Sequence, residues 1–177
     1  MPKDTLLGPR TADFFSALHQ HCLWLVERWS SALEQREFER SIAVAGRLAD
    51  CVRCMTSIAS EASACLPETD GEYKLPRAPS EPAAFPADAA VKFAIQNAYP
   101  AEEREELRRA FSDLRETLGV LCSCLIPEFE HWLRIEGKLT DAGAAALAWE
   151  LERELEHVEY HLANDIVSSC NVAPSWV

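Results

Sequence analysis

The chain has 177 residues, long enough for one domain with a real core, and its 48% apolar and 26% charged residues exclude wholesale disorder. A formal charge of −12, from 29 acidic and 17 basic residues, repels phosphate backbones and so disfavours direct nucleic-acid binding. Only 6 glycines, against abundant alanine and leucine, favour helices over a turn-rich β fold.

The opening MPKDTLLGPR lacks the apolar core of a secretory signal, and no apolar run reaches the roughly 20 residues of a membrane helix. The expectation is a cytoplasmic protein without a membrane segment. Its seven cysteines are an odd number, and in that setting free thiols are expected before a disulfide framework.

A first helix is predicted from Thr11, as N-cap, to about Gln35. Phe14, Phe15, Leu18, Cys22, Leu25, Val26, Trp29 and Leu33 fall on one face of it. A second helix, about 37 to 65, gathers Val44, Leu48, Cys51, Val52, Met55, Ile58, Ala59 and Ala62. The joint at 35–37 has neither Gly nor Pro, so a turn and one long bent helix both fit.

Five of the ten prolines lie between residues 66 and 86. Proline lacks an amide hydrogen and restricts the residue before it, so this stretch reads as a long surface crossover. A short helix is expected over 87–98. Pro100 then suits the first turn of a helix whose stripe is Leu107, Phe111, Leu114, Leu118, Leu121 and Leu125.

Pro127 should kink or break that helix, with a short helix continuing through His131 and Trp132. Gly137 and Lys138 turn the chain, and Thr140 and Asp141 open a last helix running to about Cys170. Its stripe is Leu147, Leu151, Leu155, Val158, Leu162 and Ile166. The predicted fold is a single all-α domain over 1–177: a bundle of about four long helices, one or two short ones and a Pro-rich crossover, with a tail at 171–177.

Three constellations carry chemistry. The first is carboxylate and imidazole. Two Glu-x-x-His pairs occur, Glu128 with His131 and Glu154 with His157, the spacing of di-iron bundles. Counted from the turn at Gly137, however, the two histidines lie roughly 20 Å apart along antiparallel helices and share no site. A metal set from Glu154, His161 and Asp165 with His19 or His21 of the first helix is the alternative, suited to Fe, Mn or Zn. His157 lies about 130° from the apolar stripe and points to water.

The second is thiol. Cys51 and Cys54 have the CxxC spacing, but inside a helix and without a βαβ surround, so core packing outweighs redox or metal chemistry. No serine or cysteine sits in a catalytic signature, and no catalytic residue is nominated; an enzyme is disfavoured.

The third is surface. Glu152, Glu156 and Glu159 belong to an acidic last helix, and Trp149 and Tyr160 lie almost opposite its core stripe. Trp24 is similarly off the face of the first helix. Large aromatics on a polar face are typical of protein interfaces. The leading expectation is therefore a non-enzymatic protein, without a cofactor, that binds another protein with a basic surface. An inhibitor, immunity or adaptor role fits, including the blocking of a basic nucleic-acid-binding groove. Self-association as a homodimer through the same aromatics is the other partner expectation.

Overall fold

The computed structural model describes residues 8–66, 92, 95–96, 101–135 and 142–167. Helix α1 spans Pro9–Glu34, α2 Phe38–Cys65, α3 Arg104–Val120, α4 Ile126–Arg134 and α5 Ala142–Tyr160. A π-helical segment, Leu121–Leu125, joins α3 directly to α4, and a second, His161–Val167, extends α5. There is no strand among the described residues, and the architecture is an all-α bundle. No described helix is long and apolar enough to cross a membrane.

The predicted stripes build the core. All six apolar positions predicted for α3 and its extension are buried, and so are all six for α5. On α1, Leu18 is partly buried and Phe14 is 56% exposed, while Phe15 beside it is fully buried. Successive helix residues diverge by about 100°, and the packed face is centred on Phe15.

Packing places α2 between α1 and α5. The α3–α4 unit runs antiparallel to α1: Arg134 reaches Asp13 and Ser16, and Glu130 reaches His19 one turn further along. Two ring pairs pin this arrangement. Phe15 meets Phe129 edge-on at 5.0 Å, and Trp29 meets Phe111 at 5.5 Å.

Two local expectations are revised and one open alternative is decided. Helix α1 begins at Pro9, not after Thr11: Gly8 is the N-cap, and proline at the first helical position loses only an amide that would have no partner there. The 35–37 joint is a turn. Arg36 takes φ 63°, its amide donates to Leu33 and the Glu37 amide donates to Ala32, closing a Schellman motif. Arginine stands where glycine is usual, so the sequence carried no stop signal there.

Pro127 does not break its helix. The Ile126 amide donates to Leu121, five residues back, and the backbone around it stays helical. The missing proline amide thus falls where the hydrogen-bond ladder has already shifted. Most of the Pro-rich crossover, the 137–141 turn and the 171–177 tail lie outside the described residues. Of the 87–98 stretch, Lys92, Ile95 and Gln96 are helical, and Ile95 is fully buried.

Candidate functional site

The acidic helix α5 exposes one continuous stripe. Trp149 is 53% exposed and Tyr160 57%, although the core beneath them is full. Eleven residues separate them, so at about 100° and 1.5 Å per residue they lie within about 20° of one line and about 16 Å apart. Arg153 sits between them, its guanidinium 5.2 Å from the Trp149 ring centre. That guanidinium is also bonded to Glu154 at 2.8 Å and paired with Glu150.

Two acids of the stripe remain open. Among the described residues, Glu152 and Glu156 have no ion-pair partner. Glu159 differs: its carboxylate accepts a 2.7 Å bond from Arg53 Nε of α2, which raises the pKa of that guanidinium. It serves the α2–α5 contact first. Trp24 of α1 is 43% exposed, stacked on His21 at 5.4 Å and covered by Arg28 at 5.0 Å.

The metal set expected across α1 and α5 is not assembled. Among the described residues, no three His, Cys, Asp or Glu side chains converge as ligands of one ion. Glu154 is held by Arg153, and His21 is stacked on Trp24. His19 is buried, with Nδ1 3.1 Å from Glu130 Oε1 on α4. Helical angles alone put His19 at the border of its face; α4 lies over that border and covers it.

His161 and Asp165 do come together, with His161 Nδ1 2.6 Å from Asp165 Oδ2. Their other partner is a residue expected to face water. His157 is exposed, yet its Nε2 lies 2.8 Å from His161 Nε2, and its Nδ1 lies 3.4 Å from Thr117 Oγ1 of α3. The four-residue spacing was the signal for this pair. A helical wheel records where Cβ points and not where a long ring turns, so it concealed the contact.

The buried thiols form a separate group. Cys22 Sγ lies 3.3 Å from Cys51 Sγ and 3.6 Å from Met55 Sδ, joining α1 to α2. Cys51 thus faces Cys22 and not its CxxC partner Cys54, which is exposed along with Cys65. The Cys22 thiol donates to Cys51, which raises its own pKa and lowers that of Cys51; burial pushes Cys22 up further. Burial also pushes the Cys122 thiol up to about 11.

Thiolate is the reactive form, and access controls the rate. Under native conditions at neutral pH, iodoacetamide should therefore modify Cys54 and Cys65 first and Cys122 slowly. Cys22, Cys51 and Cys124 should react only after unfolding. Peptide mass spectrometry over a time course checks the order, and early modification of Cys51 would contradict the packing described.

Comparison with protein-family models, curated protein sequences and solved structures finds no match to this chain. Fold and surface together define an all-α bundle with an acidic, aromatic-bearing helix, and the functional reading rests on that geometry.

Proposed function

We propose that the protein acts without catalysis, by binding another protein through the exposed stripe of α5. The observation that carries the reading is the Trp149–Tyr160 pair, two large aromatics held in line on a wet face with open carboxylates between them. Aromatic anchors at an interface bury much area at little entropic cost. The open acids Glu152 and Glu156, on a chain of net charge −12, select a partner with a basic surface.

An inhibitor, immunity or adaptor role fits this chemistry, in a protein we place in the cytoplasm. A concrete version is the masking of a basic groove that otherwise holds nucleic acid, where carboxylates stand in for phosphates. Glu159, occupied by Arg53, contributes field more than contact in this reading, and Trp24 on α1 is a second anchor.

A photo-reactive benzoylphenylalanine placed at 149 or 160 tests the reading in the native cells, with Glu61 on the exposed face of α2 as the control position. The expected result is one covalent adduct, to the same basic protein from both positions and none from 61. The yield in lysate should fall as salt rises. Adducts of twice the chain mass alone would assign the stripe to a homodimer instead, and equal labelling from all three positions would end the proposal.

A further inference from the structure

We infer that His157 and His161 form a binding site for one divalent transition-metal ion, ligated by both Nε2 atoms at the solvent edge of α5. This site is distinct from the set expected across α1 and α5. It uses neither Glu154 nor a histidine of α1, and it does not depend on the docking role of the aromatic stripe.

The two rings stand one helical turn apart and aim the same atom at the same place, with Nε2 to Nε2 at 2.8 Å. Each remaining ring nitrogen is already engaged. Asp165 Oδ2 lies 2.6 Å from His161 Nδ1, and Thr117 Oγ1 lies 3.4 Å from His157 Nδ1. A carboxylate on the far nitrogen holds a ligating imidazole in the tautomer whose Nε2 lone pair is free, and it fixes the orientation of the ring. The Tyr160 ring, edge-on to His161 at 5.7 Å, packs beside the same imidazole.

The separation selects the coordination geometry. With metal–nitrogen bonds of about 2.0 Å, two ligands at a right angle lie about 2.8 Å apart, and two at a tetrahedral angle about 3.3 Å apart. The rings already stand at the right-angle distance. Right-angled nitrogen pairs suit the tetragonal or octahedral coordination of Cu2+ and Ni2+, with water filling the other positions, and imidazole is a good ligand for both. Without a metal, the same contact is a hydrogen bond in which His157 Nε2–H donates to His161 Nε2; when the ion binds, that proton is carried on His157 Nδ1 instead, where it is donated to Thr117 Oγ1.

His161 is 9% exposed while His157 is exposed, so an ion reaches the pair from solvent without opening the core. His161 also begins the π-helical segment.

The test is calorimetric titration of the full, untagged, chelator-stripped chain with Ni2+, thiols kept reduced, alongside the variants His157→Ala and Asp165→Asn. The expected result is one ion per chain. His157→Ala should weaken binding by roughly tenfold or more, and Asp165→Asn by about 10-fold to 100-fold at unchanged stoichiometry. Position 157 is exposed, so its variant keeps the fold, which circular dichroism verifies.

Ring proton NMR supplies a second readout. Paramagnetic Ni2+ should broaden the His157 and His161 signals and leave those of His19, His21 and His131 sharp. No binding by the wild-type chain, binding undiminished in His157→Ala, or broadening elsewhere would overturn the site.

Discussion

Trp29→Ala should cost about 3–5 kcal/mol of folding stability, read as a lower urea midpoint at unchanged slope. Trp29 is 1% exposed and the largest of the fully buried side chains. Its ring meets Phe111 of α3 at 5.5 Å, so truncation leaves a cavity between two helices far apart in sequence. Apolar transfer is lost together with the contacts of the surrounding wall, which relaxes only in part. A cost below about 1 kcal/mol would show that the α1–α3 seam is not packed as described. Trp149→Ala is the natural contrast: its ring is half exposed, and it should change stability by less than about 0.5 kcal/mol.

Phe129→Ala should cost about as much, again about 3–5 kcal/mol. Phe129 is fully buried, and its edge-on contact with Phe15 at 5.0 Å holds α4 against α1. Helix α4 is the last nine residues of the continuous run from Arg104, and this contact fixes where its end lies against α1. The double variant with Phe15→Ala distinguishes a specific ring pair from two independent core positions. Edge-on rings and a shared cavity predict a coupling of about 1 kcal/mol or more, whereas additive losses would deny the contact. The same variant should loosen Glu130 from His19, since Glu130 follows Phe129 directly.

Much of the surface was legible in the sequence, and much of the chemistry was not. Trp149 and Tyr160 were placed on the wet face by helical angle alone, and they are exposed there. Glu159 shares that helix but is drawn to Arg53, a partner 106 residues away that no local pattern indicates. Cys51 and Cys54 have a metal-like spacing, yet one faces the core and the other solvent. The real neighbour of Cys51 is Cys22 on another helix.

The amino-acid sequence by itself determined the class of fold, the α3 and α5 stripes in full and most of the α1 and α2 faces. A 3.6-residue period is a local, additive signal that survives without knowledge of the partner helices. Only the tertiary structure decided which polar side chains meet. His19 pairs with Glu130 because α4 crosses α1 at that level, and His157 turns onto His161 beside Thr117 of α3. Such contacts depend on which helices are neighbours, on their axial register and on the direction each long side chain takes from its Cβ. None of these is written in the spacing of residues along one helix.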